Sequence, residues 1–416
     1  MLEQVLFGAA ILIGFYMAWN IGANDVANAF GTPVGSGAIS LRQAIVLAAI
    51  FEFCGCFFAG SQVTNTIRGD IVLPQMFAAQ PRMFAVGMMA ALLGASIWLN
   101  VATFFSQPVS TTHAIIGSVV GFGVVAMGPG CVQWHKLGGI AASWIISPLV
   151  GGGFAYVIYW SIRRFVLHHA RPIHRARYAV PLGLTGMSCV MLYSILQGAF
   201  PKFLHVDRTE ACWLAATAAV VIANLVGLLV WAVMIRRCNP SGEISEQHAA
   251  VERFFSRVQV MDACYLSFAH GANDVANAIG PVLGVFQGLQ GNVGGQAAVP
   301  AWLLACGGFG IVLGLGTYGY KVLKAVGCKI TEVTPTRGFA AEFSTATTVL
   351  VCSLLGLPIS TTFVLVGAVM GVGLARGFGA VDLLVVRRIF ASWVITIPAS
   401  AIITVVIYLT IVPWVK

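Results

Sequence analysis

The residues GANDVANA occur twice in this chain, at positions 22–29 and again at 271–278. Each copy places one acid and two amides inside a long apolar run, although charged residues make up only 9% of the chain. At helical spacing these polar side chains share one face, since residues three and four apart are neighbours on a helix. The two faces consist of Asn24, Asp25 and Asn28 and of Asn273, Asp274 and Asn277. Carboxylate and amide oxygens suit small hard cations, so each copy predicts a cation site.

A helix break is expected at each GANDVANA motif. Gly22 precedes the polar residues of the first copy, and a break there would free backbone carbonyls as further cation ligands. An aspartate at the centre of a membrane helix costs about 2.5–3.5 kcal/mol on insertion scales, so such residues usually face a cavity and carry function. The alternative is that these side chains only hold helices together, which does not easily explain an aspartate in identical surroundings twice.

A second motif also recurs, because PVSTT at 108–112 has its counterpart PISTT at 358–362. Proline at a first helical position followed by Ser-Thr-Thr would present hydroxyls and unpaired backbone N–H groups at a helix N-terminus, where the helix dipole favours an anion. Two such tips would together surround a tetrahedral oxyanion. The predicted anion ligands are Ser110, Thr111, Thr112, Ser360, Thr361 and Thr362. The alternative is that these hydroxyls bond only to their own helix backbone.

Neither motif contains a lysine or an arginine. A phosphate or sulfate dianion beside Asp25 and Asp274 would be strongly repelled in a low-dielectric site without fixed positive charge. A mobile cation must therefore bind together with the anion, and binding of each lowers the cost for the other. This argument predicts coupled transport of an oxyanion and a cation.

Further ionisable residues lie within apolar segments. Glu52 and Glu342 are predicted to serve a second cation or a proton, and the alternative is a buried protonated acid or an ion-pair partner. Asp262 lies close to a basic segment and is expected at the membrane interface. His113 follows the first Ser-Thr-Thr and His270 precedes the second GANDVANA, but neither has a histidine at the corresponding place in the other copy. For both histidines we expect packing or tuning rather than ligation.

The composition indicates a polytopic membrane protein. Hydrophobic residues make up 58% of the 416 residues, whereas soluble domains are roughly 45–50% apolar and roughly 25% charged. Apolar stretches long enough to cross a bilayer recur along the chain and leave no room for a soluble enzyme domain. No nucleophile stands next to a base, so we expect no enzyme. The formal charge of +9 is spread over short loops, so we expect the lipid bilayer and no nucleic acid as a partner.

The repeated motifs indicate an internal duplication. The first asparagine of GANDVANA precedes the serine of PxSTT by 86 residues in the first half and by 87 in the second. Each half should contain a broken helix at GANDVANA and a re-entrant hairpin at PxSTT. The predicted divisions are a first repeat at 1–162, an insert at 163–255 with two apolar helices near 179–198 and 212–235, and a second repeat at 256–416.

The distribution of basic residues predicts the orientation of the repeats. Basic stretches at 163–177 and 236–257 flank the insert, and cytoplasmic loops collect lysine and arginine. The insert crosses the membrane an even number of times, and each half crosses it an odd number of times. The second half therefore starts on the side opposite to the first, so we expect the repeats to be inverted. With the basic stretches inside, both termini are predicted to lie outside. This assignment places 17 of the 23 lysines and arginines on the cytoplasmic side. Inverted repeats are common among secondary transporters.

The paired GANDVANA and P-[VI]-S-T-T motifs closely resemble those of the inorganic phosphate transporter family, known as the PiT family, over both halves of the chain. The resemblance implies inverted repeats with about twelve membrane segments, a homodimer, and movement of orthophosphate with a cation. It also implies that the Ser-Thr-Thr residues grip phosphate. The other residues implied to line the ion and phosphate sites are Asp25, Asn28, Asp274 and Asn277, with Glu52 and Glu342 as further functional acids.

Ala23-Asn24 in the first motif resembles the sodium-linked branch rather than the histidine-containing variant, which is proton-linked and carries metal–phosphate complexes. We therefore predict an all-α polytopic sodium and phosphate symporter of the cytoplasmic (inner) membrane that works by alternating access, with sodium as co-substrate and no organic cofactor. Proton-coupled phosphate or metal–phosphate symport and sulfate transport on the same fold stay open as alternatives. An ion channel with polar helix tips is a further one.

Overall fold

The computed structural model describes nearly the whole chain. Its described residues are 2–25, 27–35, 37–104, 109–204, 206–237, 243–291, 298–320, 334–377 and 383–414. Within these ranges the chain is helical apart from short connections and an isolated bridge between Val72 and Val132. The predicted all-α class is confirmed for these residues.

The described residues form α-helices that we number α1 to α14 in chain order. They are α1 (Leu2–Asp25), α2 (Ala27–Gly35), α3 (Leu41–Ala59), α4 (Ser61–Gly69), α5 (Pro81–Phe104), α6 (Thr111–Met127), α7 (Trp134–Ile162), α8 (Pro172–Phe203), α9 (Arg208–Arg237), α10 (Ile244–Leu289), α11 (Ala301–Gly314), α12 (Pro335–Leu354), α13 (Thr361–Arg376) and α14 (Leu383–Ile411). Single π-helical turns extend α7 and α11.

Many of these helices have the length and apolar composition that a membrane crossing requires. Within the described ranges, eight helical stretches meet this requirement, and the shorter helices α6 and α13 are also apolar. The two helices expected in the insert are present as α8 and α9, and both belong to the eight. The chain is therefore built as a multi-pass membrane protein.

The structure tests the predicted helix break at the second GANDVANA motif. In the first motif α1 ends at Asp25 and α2 begins at Ala27, and residue 26 between them, where the break is predicted, lies outside the described residues. The second motif lies inside α10, which continues without interruption from Ile244 to Leu289. The predicted break in the second copy is therefore wrong. Its asparagine side chains bond to neighbouring segments, and the backbone keeps its own hydrogen bonds, as a buried membrane helix must.

The glycine of each motif permits close packing between helices. A Cβ atom at Gly22 would overlap the Ile311 carbonyl of α11, and one at Gly271 would overlap the Glu52 carbonyl of α3. Small residues allow membrane helices to approach each other in this way. Gly271 thus brings the backbone of α3, with Glu52, directly against the second motif.

The last helix of each half packs on the hairpin of the other half. The first hairpin consists of α5 and α6, and α14 packs against both helices. The second hairpin consists of α12 and α13, and α7 packs against both of these. The two halves of the chain are therefore interlocked around their hairpin tips.

The second helix of each hairpin starts at the Ser-Thr-Thr residues. Helix α6 begins at Thr111 and α13 at Thr361, and the preceding serine is the N-cap residue in both cases. The prediction that proline occupies the first helical position is wrong for Pro358, which lies two residues before the N-cap. The hydroxyl of Ser110 caps its helix, a role that suits serine, whereas Ser360 occupies the N-cap position without a side-chain cap bond. Pro108 lies outside the described residues.

Candidate functional site

The polar face of each GANDVANA motif contacts the Ser-Thr-Thr tip of the other half. Asn28 of the first motif donates from Nδ2 to Thr362 Oγ1 at 3.0 Å. Asn277 of the second motif donates from Nδ2 to Thr112 Oγ1 at 3.2 Å and reaches Thr111 Oγ1 at 3.4 Å. The pairing is reciprocal, so the two motifs and the two tips form one centre.

The two tips also contact each other directly. Thr112 of the first tip donates from Oγ1 to the Ile359 carbonyl of the second at 3.0 Å. Asn273, with its amide oxygen accepting from Ser353 Oγ at 3.0 Å, donates to the same Ile359 carbonyl at 2.9 Å and to Asp274 Oδ1 at 3.1 Å. These bonds tie the second motif to both tips.

The first motif has a similar but more open arrangement. Asn24 donates from Nδ2 to Asp25 Oδ1 at 3.3 Å and is only partly buried. Asp25 itself is buried, and the Thr111 hydroxyl lies within hydrogen-bonding reach of its carboxylate. Asp25 therefore joins the first tip, as Asn277 does from the second motif.

The hydroxyls of the two tips differ in their partners. Ser110 Oγ accepts from the backbone N–H of His113 at 3.2 Å and so caps its own helix. Ser360 makes no side-chain cap bond, and Thr361 Oγ1 is buried without a hydrogen-bond partner among the described residues. Since buried polar atoms normally have a partner, the Thr361 hydroxyl of the second tip is available to bind a ligand, and the Ser360 hydroxyl is not used for capping.

His270, the residue before the second motif, lies between the buried acids. Its Nδ1 is 2.9 Å from both carboxylate oxygens of Glu52. Its Nε2 is 2.7 Å from Asp274 Oδ2 and 3.9 Å from Asp25 Oδ2. All four side chains are buried. We expected packing or tuning for this histidine, and both of its ring nitrogens lie against carboxylates.

His270 lies among three acidic side chains, those of Asp25, Glu52 and Asp274. A neutral imidazole has one N–H donor and one acceptor, so a ring that faces carboxylates through both nitrogens is fully satisfied only when both nitrogens carry a proton. Even then one positive charge faces the carboxylates of Asp25, Glu52 and Asp274. Ligand atoms of Asp25, His270 and Asp274 all lie within 4.8 Å of one another. This oxygen-rich space is suited to a small cation.

Glu342 lies apart from this centre. It is buried and accepts from Gln259 Nε2 at 3.3 Å. Gln259 precedes His270 by 11 residues on α10, which corresponds to about 16 Å along a helix.

Asp262 was expected at the membrane interface, but it is fully buried beside Glu342. Its burial comes from the helices packed around α10, and its position at the membrane interface stays a prediction. Glu342, Gln259 and Asp262 form a separate polar group.

The two histidines show how much of the site the sequence indicated. His113 packs as expected, with its ring centroid 3.9 Å from that of Trp144 and 5.3 Å from that of Phe363. The position of His270 was missed, although one signal was present. His270 and Asp274 are four residues apart and therefore share a helix face, which places this histidine on the face already assigned to the cation.

The centre combines groups that bind ions of either sign. Carboxylate and amide oxygens from the motifs suit a small cation. Hydroxyls, amide N–H groups and the N-termini of α6 and α13 suit a tetrahedral anion. Because the same asparagines bond to the hydroxyls of the tips, a cation and an anion bound here would share neighbouring ligands.

Comparison with known proteins gives consistent matches over the full chain. A family model described as the phosphate transporter family matches residues 21–404. The chloroplastic inorganic phosphate transporter 2-1 of Arabidopsis thaliana is 43% identical over 97% of this chain and 72% of its own length. A protein of Pyrococcus abyssi, whose name gives it as a candidate phosphate permease, is 45% identical over 96% of this chain and 96% of its own.

A solved structure of a sodium-dependent phosphate transporter is similar to this structure throughout. The TM-score is 0.89 and the sequence identity is 38%, and the match covers 98% of this chain and 99% of that one. The helix arrangement described above is therefore shared over the full length of both proteins.

Proposed function

Because this chain belongs to the phosphate transporter family, we propose that it is a secondary transporter that moves inorganic phosphate together with sodium across the cytoplasmic membrane. The family consists of transporters and not of enzymes. Sodium dependence is a property of the structural neighbour, and its assignment to this chain is part of the proposal. Phosphate and sodium are the cargo, and the proposal requires no organic cofactor.

The reciprocal contact between motifs and tips is the observation that carries this proposal. Asn28 bonds to Thr362 and Asn277 bonds to Thr112, each across the two halves. We assign phosphate to the space at the tips, where the Thr361 hydroxyl has no partner among the described residues and the Ser360 hydroxyl does not cap its helix. The remaining proposed phosphate ligands are Ser110, Thr111, Thr112 and Thr362, with Asp25, Asn28, Asp274 and Asn277 at the border with sodium.

The charge of the centre supports coupling between the two ions. Phosphate placed beside the carboxylates of Asp25, Glu52 and Asp274 is repelled, and the single imidazole of His270 does not offset all of them. Sodium bound by the motif carboxylates and by the amides of Asn24 and Asn273 would reduce the repulsion. Each ion then favours binding of the other, so neither should bind well alone.

We further propose that the halves are inverted repeats, with the boundaries 1–162, 163–255 and 256–416 and with both termini outside. The exchange of α7 and α14 between the hairpins supports a two-fold arrangement. Transporters of this plan bind their cargo where the repeats meet and expose it to alternate sides, so we assign alternating access to this chain. The total of about twelve segments and the homodimer stay predictions, as does a second cation or proton at Glu342.

Uptake into proteoliposomes tests the proposed function. Purified protein is reconstituted into potassium-loaded vesicles, and radiolabelled phosphate uptake is measured under an inward sodium gradient, an inward proton gradient, or neither. We expect accumulation only with sodium, and no competition by excess sulfate. Protein-free vesicles serve as the control. Absence of phosphate uptake under every gradient would refute the proposal, and strong competition by sulfate would reassign the substrate.

Proton coupling is a second candidate, and one observation favours it. His270 faces Glu52 through one nitrogen and Asp274 through the other, and such a chain of titratable groups can bind and release a proton within the membrane. Under this alternative, phosphate accumulates with a proton gradient in sodium-free buffer. The same vesicle assay therefore separates the two candidates.

A further inference from the structure

A third pair of repeated residues accompanies the two motifs. Ala-Ser-Trp at 142–144 recurs at 391–393, and the tryptophan follows the serine of the Ser-Thr-Thr tip by 34 residues in the first half and by 33 in the second. Each copy is followed within a few residues by a proline, Pro148 or Pro398. Trp144 therefore occupies a place that the duplication has kept, in the helix that crosses to the opposite hairpin.

Trp144 contacts both tips in the structure. Its Nε1 donates to the Pro358 carbonyl of the second tip at 3.0 Å. Its ring packs edge-on against His113 of the first tip, with centroids 3.9 Å apart. Trp144 is 7% exposed and His113 is 1% exposed, so both contacts are shielded from solvent and lipid.

The indole bond is one of several that fix the chain before the second tip. Thr66 donates to the Gly356 carbonyl at 2.7 Å, and the Ile359 carbonyl accepts from Thr112 at 3.0 Å. The Pro358 carbonyl lies between these two and depends on Trp144. These bonds set the direction of the peptide groups that lead into α13, and hence the orientation of its first N–H groups.

The second tip also contains a buried hydroxyl without a partner among the described residues. Ser360 lies two residues after Pro358, its hydroxyl makes no cap bond, and the next hydroxyl, that of Thr361, has no partner among the described residues. A buried carbonyl that loses its donor is costly and reorients towards another partner. Rotation of the peptide after Pro358 would displace these hydroxyls, and a site that is loosened by about 1 Å loses much of its function.

We propose that Trp144 is a positioning residue for phosphate: its indole N–H holds the Pro358 carbonyl so that the second tip presents Ser360, Thr361 and the N-terminus of α13 to the anion. This inference rests on the proposed function. Trp144 itself touches no ion in this assignment. It acts through the backbone of the tip from a helix that belongs to the other half.

The test compares Trp144→Phe with Trp134→Phe in proteoliposomes. Trp134 lies at the start of the same helix and donates from Nε1 to the Pro129 carbonyl at 2.9 Å, but it is 55% exposed and far along the chain from the tips. We expect Trp144→Phe to raise the KM for phosphate about tenfold, the change that corresponds to about 1.4 kcal/mol. The maximal rate per folded protein should stay within about twofold, and Trp134→Phe should leave the KM unchanged.

The outcomes separate positioning from a merely structural role. If Trp144 only stabilises the fold, Trp144→Phe lowers the amount of folded protein or the maximal rate and leaves the KM for phosphate unchanged, which would overturn the inference. If Trp144→Phe does not fold, 3-benzothienylalanine at position 144 keeps the ring shape and replaces the N–H by sulfur. The same rise in KM is expected there, and an unchanged KM again overturns the inference. Absence of phosphate uptake by the wild type would instead refute the proposed function.

Discussion

Replacement of Asp274 by asparagine removes one negative charge from the centre and keeps the size of the side chain. Asp274 Oδ2 is 2.7 Å from His270 Nε2, and ligand atoms of Asp25, His270 and Asp274 lie within 4.8 Å of one another. A sodium ion held by the carboxylate oxygens of Asp25 and Asp274 would lie within roughly 4 Å of the Asp274 charge. The substitution therefore tests directly whether the motif aspartates hold the coupling ion.

The expected size of the effect follows from that distance. At 4 Å and an effective dielectric constant of about 20, two unit charges attract each other by about 4 kcal/mol. Because each 1.4 kcal/mol is tenfold in affinity, loss of the charge should weaken sodium binding by roughly three orders of magnitude. The amide oxygen of asparagine offsets part of this loss. At sodium concentrations that saturate the wild type, phosphate uptake by Asp274→Asn should fall to the background.

The measurement is the initial rate of radiolabelled phosphate uptake against sodium concentration, normalised to the amount of folded protein. Asp70→Asn is a matched control, because Asp70 pairs with Lys136 at 2.5 Å and its side chain is 42% exposed. An exposed ion pair contributes about 1 kcal/mol or less, so this variant should transport as the wild type does.

A single result would refute the reasoning about charge. If Asp274→Asn shows the same sodium activation curve as the wild type and as Asp70→Asn, Asp274 is not part of the cation site. The argument that sodium offsets the buried carboxylates would then fail, even if phosphate were still transported.

Three further substitutions follow from the same structure. Thr361→Val should raise the KM for phosphate about tenfold. Thermal stability in detergent should not fall, because the hydroxyl has no partner among the described residues. A drop in stability with an unchanged KM would contradict the role of Thr361 as a ligand. His270→Gln should destabilise the protein by about 3–5 kcal/mol, since it leaves Glu52 without its charged partner. Adding Glu52→Gln should restore part of the stability. If the stability losses of the two single variants simply add in the double variant, the two residues do not interact as a pair. Gly271→Ala should lower the free energy of unfolding by about 1–3 kcal/mol, because the new Cβ would overlap the Glu52 carbonyl. Gly153→Ala, whose new Cβ meets no atom within 4 Å, should be neutral or slightly stabilising. Equal melting temperatures for the two variants would contradict the packing argument.

The residues of the centre could be predicted because their chemistry conflicts with their surroundings. Asp25 and Asp274 are acids inside apolar segments, and the cost of placing them there leaves few explanations besides function. The Ser-Thr-Thr tips could be predicted for the same reason. That motif and tip come from opposite halves could not be predicted, because the exchange of α7 and α14 depends on packing between segments that are far apart in the sequence.

The wrong prediction of a helix break at the second motif has a physical cause. A helix break was inferred from Gly271 and the polar residues after it, but in the structure the glycine lets α3 approach α10, and the polar side chains are satisfied across helices. Helix breaks and close helix contacts both use glycine, so the residue type alone does not distinguish them. The Glu52 backbone lying against Gly271 shows that this glycine serves a close helix contact and not a helix break.

The contacts of two residues were not predicted although the sequence contains a signal for each. His270 is one helical turn from Asp274, and Trp144 has a counterpart at the corresponding place in the second half. Neither residue belongs to the GANDVANA or PxSTT motifs, and which side chains lie against them depends on packing between segments that are far apart in the sequence.

The exchange of the closing helices has a consequence for synthesis of the chain. The first hairpin tip begins α6 at Thr111, but the helix that covers this hairpin, α14, starts only at Leu383. At about 5–20 residues per second, the ribosome needs roughly 15–55 s to make the intervening chain. For that time the first hairpin has to stay in the bilayer without its final neighbour, so nascent chains that stop after the first half should be recognised and degraded as incomplete.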